Sequence, residues 1–411
     1  MNFLYDFLAH LIFLFLKVCA LFDKKIRLFI AGRKAIETRI STIKKSDKVV
    51  WFHVASLGEF EQAKPIIEAI KNTLQNHKIL ITFFSPSGYE VQKKSDLGDV
   101  VCYLPFDTKS HVKRFINKVQ PKMVIILKYE FWPNLLIQLK RNAIPTIVAS
   151  AIFRKDQIFF KPIGKWMRKS LSTFDHFFVQ DASSMNLLKS INLNNVSISG
   201  DTRFDRVKKI LQQDNSLAFI EEFKNNQYTV VAGSTWEEGE RYLANYINQS
   251  VDEKFIIAPH KIHLKSIQKL KESIQKPTVL FSEMEGKDLS KYEVFILDTI
   301  GLLTKVYSYA DVAYVGGAFQ TGLHNILEPA TFGVPVIIGS EYHKFKEALE
   351  LVALGGCISV DNQKTFFCIF QRMKEDKDYR DLVGNINSHY INKNIGATSI
   401  IVAYINKQLK T

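Results

Sequence analysis

No Cys-x-x-Cys pair and no zinc-like spacing occurs in the 411 residues. The four cysteines, Cys19, Cys102, Cys357 and Cys368, are widely scattered. That argues against a disulfide framework and a structural metal, and fits a reducing compartment. No A-x-A-like cleavage site follows the apolar N-terminus and no basic region precedes it, so a removable signal peptide is not expected. RNA-binding motifs, zinc fingers and basic zippers are absent, as are fixed-period repeats and low-complexity tracts. The triplet Asp376-Lys377-Asp378 has the spacing of an acidic metal-binding motif, but it lies in a charged helical stretch and reads as a solvated face. Neither a metal nor a cofactor is expected.

What is present describes an ordinary folded protein: 46% apolar and 23% charged residues. The length exceeds what one core usually fills, so two domains are the natural reading. A formal charge of +14 attracts polyanions. The basic residues are spread thinly through stretches such as Lys161 to Lys169 and Lys261 to Lys271, which favours a membrane surface over nucleic acid. Phe3 to Phe22 is apolar and aromatic, broken only by Asp6, His10 and Lys17, and is followed by Lys24, Lys25, Arg27, Arg33 and Lys34. Spanning a bilayer takes ~20 residues, and Asp6 and Lys17 would be costly at depth. Residues 1–34 are expected to be a retained anchor, spanning once or lying in the interface, with the basic flank holding the body on the cytoplasmic face of the inner membrane. The competing reading is a buried first helix.

Short β-branched and aromatic runs alternate with helical stretches, the pattern of parallel sheets covered on both faces. Strands are expected near Val49–Val54, Ile79–Phe84, Val100–Leu104, Met123–Leu127, Thr146–Ser150, His176–Val179 and Val196–Gly200. A second set falls near Tyr228–Val231, Phe255–Ala258, Val279–Phe281, Val294–Leu297, Val312–Val315, Val334–Ile338 and Cys357–Val360. Between the sets lies a polar, strandless segment from Asp205 to Gln227. The fold class is therefore α/β, with two Rossmann-like domains, 35–210 and 211–411, whose strand C-termini face a shared cleft; the last helix could pack back on the first domain.

Chemistry should then follow strands. In Gly316 to Phe345, a strand end, the glycines Gly316 and Gly317, a short helix and a buried strand build an anion cradle, with Asn325 opening the helix and Glu328 suited to ribose hydroxyls. Asn325-x-x-Glu328 fits a capping box equally well. In WFHVASLGEFEQ, Ser56 and Gly58 form a turn that places Glu59 in the first helical turn, where a carboxylate could deprotonate an alcohol; Ser56-x-x-Glu59 is also a capping box. His53 reads as a packed core residue. Glu130 follows another strand beside Phe131, Trp132 and Pro133, and could position or polarise an acceptor, or merely pair with a basic side chain. Ser234 and Thr235 could donate to phosphate or cap a helix with Glu237. Pro259, His260 and Lys261 end a strand with donor groups, and Gly301 sits in a loop suited to close contact with a base.

These motifs together resemble those of the Kdo transferases: WFHVASLGEFEQAKP, FFSPSGYE, YLPFDT, EFWPN, SGDTRFD, VAGSTWEEGE, and the segment from VGGAF through HNILEP. They run in family order from about Val49 to Phe345. The resemblance implies a GT-B glycosyltransferase fold and inverting transfer of 3-deoxy-D-manno-octulosonic acid (Kdo) from CMP-Kdo to a lipid A precursor. It assigns Glu59 as general base, Glu130 to the acceptor or sugar, and Ser234, Gly301, Asn325 and Glu328 to the CMP site. Arg203 takes a basic position able to face an anion. Two positions depart from the family pattern: His260-Lys261 stand where Arg-His is common, and Lys128 where an acidic residue is common. Another GT-B activity, a hexosaminyltransferase or nucleotide-sugar epimerase, and a non-enzymatic anionic-lipid-binding membrane protein are the alternatives.

Overall fold

A computed structural model describes residues 2–320 and 322–410, with side chains from Leu4 onward; Thr321, inside the Gly316 to Phe345 segment, lies outside the described residues. The chain divides into two compact units, residues 1–206 with 394–411, and residues 207–393.

The first unit is built on β1 (Lys48–Val54), β2 (His77–Phe83), β3 (Val100–Tyr103), β4 (Met123–Leu127), β5 (Thr146–Ala151), β6 (His176–Val179) and β7 (Val196–Ile198). These runs of Val, Ile and Phe are buried almost throughout, because helices cover both sheet faces. All strand pairs are parallel, in the order β3-β2-β1-β4-β5-β6-β7. Winding therefore reverses between β1 and β4, the place where doubly wound sheets open a crevice at their C-terminal edge. The Ala397–Lys410 helix contributes Ile401 and Ile405 to this core. Asp205 fixes its start by accepting from Gly396 N at 2.6 Å and Thr398 N at 2.7 Å, which satisfies donors the helix itself cannot.

The second unit carries β8 (Thr229–Thr235), β9 (Lys254–Pro259), β10 (Thr278–Leu280), β11 (Val294–Ile296), β12 (Val312–Val315), β13 (Val336–Ile338) and β14 (Cys357–Ser359). They are parallel in the order β10-β11-β9-β8-β12-β13-β14, with the reversal between β8 and β12. Each segment read from the sequence as a strand is one. The polar stretch after Asp205 holds helices Thr202–Ile210 and Ala218–Lys224, and the division between units falls within the first.

At the N-terminus, helices Asn2–Cys19 and Lys24–Lys34 form a hairpin. One stripe of the first helix docks on the body: the Tyr5 hydroxyl donates to Asp107 at 2.8 Å, Asp6 accepts from Lys109 N at 2.8 Å, and Phe13 lies 4.2 Å from Phe106 between ring centroids. Asp6 is thus spent on the protein. The opposite side leaves Leu4, Phe7, Leu8, Leu11, Ile12, Leu14, Phe15 and Val18 each about half exposed or more, so the helix is not a buried core element. In the second helix, Arg33 donates to Phe84 O at 2.9 Å, and its guanidinium lies 3.7 Å from the Phe29 ring centroid. Burial pulls this guanidinium down to about 9. No helix among the described residues is long and apolar enough to cross a membrane.

Candidate active site

In the first unit the side chains singled out from the sequence gather at the C-terminal ends of β1 and β4. Glu59 stands in the first turn of the Leu57–Thr73 helix. The expected capping box does not form: Ser56 is the N-cap residue, but its hydroxyl donates to the Glu59 carboxylate rather than accepting from the helix backbone. One further correction concerns this turn. Gly58 lies inside the helix with a negative φ, and a Cβ there would approach only Ser56 Oγ, at 3.8 Å, so the turn does not need glycine. The partner of Glu59 is the residue that departs from the family pattern: Lys128 Nζ lies 3.9 Å from Glu59 Oε1, with the two side chains 23% and 15% exposed.

Lys128 has φ +59°, in the left-handed region. Its N–H still extends the sheet by bonding Ala149 O at 3.0 Å, and the chain then swings out of the strand. A left-handed residue with a Cβ costs about 1–2 kcal/mol, and such strain concentrates at functional edges. Ser150 at the end of β5 and Ser234 at the end of β8 share it, both at φ +51°.

Glu130 is held from two sides. Trp132 Nε1 donates to Oε2 at 2.9 Å, and Nε2 of the fully buried His53 lies 3.6 Å from the same oxygen. His53 Nδ1 meets Thr82 O at 3.1 Å and Thr82 Oγ1 at 2.9 Å, so the ring is oriented by the neighbouring strand. Burial alone would raise the Glu130 carboxyl; the contacts with His53 and Trp132 outweigh it and leave it below the usual carboxylate range. Between the two acids, burial and then the Glu59 charge push the Tyr129 hydroxyl up, while Arg154 and Arg203 oppose the rise. Glu59, Glu130, Tyr129, Arg154 and Arg203 therefore share one electrostatic neighbourhood. Arg203 Nε donates to Asp201 at 2.8 Å, and Asp201 also accepts from Gln62 at 2.9 Å. The Arg203 Nε–H is thus held by Asp201 at the start of its helix.

The second unit shows the corresponding arrangement at β8 and β12. Ser234 ends β8 half-buried, and its hydroxyl makes no hydrogen bond among the described residues. Thr235 does not present its hydroxyl: buried, it donates to Glu240 at 2.7 Å, while Glu237 pairs with Lys269, so the capping box expected there is absent. Gly316 and Gly317 serve the protein's own backbone. Gly316 N bonds Gly233 O at 3.0 Å, and a Cβ on Gly316 would fall 2.3 Å from Ser234 O. On Gly317, at φ +96°, it would fall 2.2 Å from Gly322 O. Gly301, also at φ +96°, borders open space.

Asn325 does not cap the short Leu327–Thr331 helix as its N-cap, a place taken by Ile326. Its Oδ1 accepts from Leu327 N at 3.1 Å and its Nδ2 donates to Glu328 at 3.0 Å. The other Glu328 oxygen accepts from Thr304 at 2.8 Å, which presets the carboxylate from two sides. A five-residue helix has little macrodipole, so any anion affinity here rests on individual donors.

Sequence reasoning missed a stack of rings from separate loops. Trp236 lies 4.6 Å from His260 at 21° between planes, and its Nε1 donates to His324 Nε2 at 2.9 Å. Lys261 Nζ sits 4.8 Å above the Trp236 ring. Burial and then the neighbouring His260 pull His324 down to about 4; burial and Lys261 lower His260. Pro259, at the end of β9, and Lys261 line a cavity of about 830 Å³ between the Glu237–Ile247 and Leu264–Ser273 helices. Among the described residues no cluster of His, Cys, Asp or Glu could hold a metal ion.

Two parallel seven-stranded sheets of this winding define a GT-B-type glycosyltransferase fold. A solved UDP-GlcNAc 2-epimerase from Neisseria meningitidis, bound to UDP-GlcNAc, is similar with a TM-score of 0.60 at 16% identity, covering 88% of this chain and 100% of that one. A family model described as 3-deoxy-D-manno-octulosonic-acid transferase (kdotransferase) matches residues 33–206. The 3-deoxy-D-manno-octulosonic acid transferase of Aquifex aeolicus (strain VF5) is 31% identical over 324 residues, 77% of this chain and 82% of that protein. That of Haemophilus influenzae (strain ATCC 51907 / DSM 11121 / KW20 / Rd) is 26% identical over 378 residues, 88% and 87%. The chain belongs to the 3-deoxy-D-manno-octulosonic acid transferase family and is a glycosyltransferase.

Proposed function

We propose that this glycosyltransferase moves Kdo from CMP-Kdo to a lipid A precursor in lipopolysaccharide biosynthesis, at the cytoplasmic face of the inner membrane. The observation that carries the chemistry is Glu59, a partly buried carboxylate at the winding reversal of the first unit, oriented by Ser56 and Lys128. In this reading an acceptor hydroxyl gives its proton to Glu59 as its oxygen bonds the anomeric carbon of Kdo. The bond from that carbon to the CMP phosphate breaks, and its electron pair leaves with CMP. Inversion follows from attack opposite the leaving group. Glu130, held ionised by Trp132 and His53, orients the acceptor.

In the second unit, Glu328 accepts from the ribose hydroxyls. Asn325 fixes that carboxylate, Ser234 offers a free hydroxyl to phosphate, and Gly301 leaves room for the cytosine ring. His260 and Lys261 supply the donors near phosphate. The membrane reading rests on the exposed apolar side of the first helix beside Lys24 and Lys25. In this reading the helix lies in the interface, with its exposed apolar side toward lipid.

Incubation with CMP-Kdo and a tetra-acylated lipid A precursor, with the product weighed by mass spectrometry, tests the whole reading. A mass increase of one or more Kdo units is expected. Thermal protection by UDP but not CMP, without Kdo transfer, would point instead to another GT-B enzyme.

A further inference from the structure

The proposed reaction uses Lys128 only to orient Glu59. Lys128 occupies a left-handed backbone position that lysine rarely adopts, and its ammonium stands 3.9 Å from the carboxylate assigned as base. A cation so close compensates the negative charge of Glu59. Once Glu59 takes a proton, the ammonium, only 23% exposed, loses its counter-charge. An anion arriving with the acceptor would replace that charge. Arg154, exposed and without an ion pair among the described residues, adds a second cation to the same neighbourhood, as its effect on Tyr129 shows. Lys128 and Arg154 together suit a phosphate group.

We propose that Lys128 is a specificity-determining residue that couples the base to the acceptor's charge: it pairs with Glu59 until a phosphate of the glycolipid draws its ammonium away. Proton transfer is then favoured only when a phosphorylated acceptor is in place. The inference rests on Glu59 being the base and on a glycolipid acceptor.

The test compares transfer from saturating CMP-Kdo to a phosphorylated lipid A precursor and to the same glycolipid after enzymatic dephosphorylation, in the full-length protein. Wild type should favour the phosphorylated acceptor. In Lys128→Met that preference, read as the ratio of kcat/KM values, should fall by about tenfold, with the KM for CMP-Kdo unchanged. Lys128→Arg should keep most of it. Lys128→Gly removes the charge while relieving the left-handed strain, so it provides a folded charge-free variant should Lys128→Met unfold. An unchanged ratio in the charge-free variants overturns the proposal, as does a loss confined to the KM for CMP-Kdo. Full turnover of Glu59→Gln, or no transfer by wild type, would instead overturn the underlying functional reading.

Discussion

Trp132 donates its indole N–H to Glu130 at 2.9 Å, two residues away across the turn that leaves β4, while His53 on β1 faces the same carboxylate oxygen at 3.6 Å. The first contact is a hydrogen bond, and the second, at that length, is a looser polar contact. Burial would favour a neutral Glu130, and these two neighbours reverse it. A carboxyl lowered in the folded state contributes stability above its unfolded value of 4.5, and that contribution is lost as pH falls through the folded value. Trp132→Phe keeps the ring packing against Phe84 and removes only the donor. It should cost about 1–2 kcal/mol in urea unfolding at pH 7. The cost should shrink once the pH is taken well below 4.5, where Glu130 protonates. An equal cost at pH 7 and at the acid end would mean that Trp132 acts through packing alone.

Glu59→Gln preserves the shape of the side chain and removes its capacity to take a proton. Transfer should drop about 100-fold or more. CMP binding, measured by calorimetry, should remain within about twofold of wild type, because the residues assigned to CMP belong to the second unit. Turnover close to wild type would remove Glu59 from the base role.

The strands were legible because covered parallel sheets demand unbroken apolar runs, and Val49 to Val54 or Met123 to Leu127 admit no other reading. Strand ends were harder. β8 runs on through Gly233 and Ser234 to Thr235, where glycine and serine suggested a loop, because a register shift against β9 keeps Thr235 paired while Ser234 turns left-handed. The positions of Glu59 and Glu328 were readable from strand–helix order, but their bonding was not. Ser56 spends its hydroxyl on Glu59 rather than on the expected backbone cap, while Asn325 divides its amide between Leu327 N and Glu328, a choice made by local backbone direction. Gly316 and Gly317 illustrate a different gap: a glycine signals close approach, but the approaching backbone proved to be the protein's own. The stack of Trp236, His260 and His324 left no sequence signal, since its rings come from three separate loops.

Glu328→Gln and Asn325→Ala test the ribose assignment. The carboxylate already accepts from Asn325 and Thr304, so its orientation is set in advance of any ligand. Glu328→Gln should weaken CMP binding by about 1–3 kcal/mol through loss of charge-assisted hydrogen bonds. Asn325→Ala should weaken it less, because Thr304 still orients Glu328. The ribose role predicts that 2′,3′-dideoxy-CMP binds wild type and Glu328→Gln about equally; a persisting difference for the dideoxy ligand would place Glu328 elsewhere.

His324 gives the second unit an acid-sensitive element. Its folded value is about 4 against 6.5 in the unfolded chain, so between these values the unfolded state binds a proton that the folded state refuses. Stability should therefore be lost as pH falls from 6.5 toward 4, and the loss should level off below, where both states are charged. His260 and Lys261 act in the same direction, since each adds positive charge beside a ring that is neutral when stacked. Trp236 fluorescence can follow unfolding near the stack. His324→Gln, which does not titrate, should flatten the pH dependence of Tm across that window. An unaltered slope would assign the acid sensitivity to other groups.

The first helix docks on the body through one face and leaves the other exposed, which allows the proposed membrane binding to be tested without disturbing the fold. Tyr5, Asp6 and Phe13 hold the helix to the body, whereas Phe7, Leu11 and Phe15 point away from it and are 53%, 46% and 66% exposed. Replacing these three with Gln removes apolar area that rests against no core, so thermal unfolding should stay near wild type. If the face inserts into the lipid interface, burying the rest of each side chain contributes about 1 kcal/mol, and the triple variant should bind vesicles about 100-fold more weakly. Lys24 and Lys25 at the start of the second helix add attraction to anionic headgroups, about 1 kcal/mol each near the surface. Their replacement by Gln should weaken binding to phosphatidylglycerol vesicles at low salt and leave binding to neutral phosphatidylcholine vesicles little changed. Co-sedimentation separates the contributions: an apolar variant that still pellets with vesicles would show that Phe7, Leu11 and Phe15 face something other than lipid.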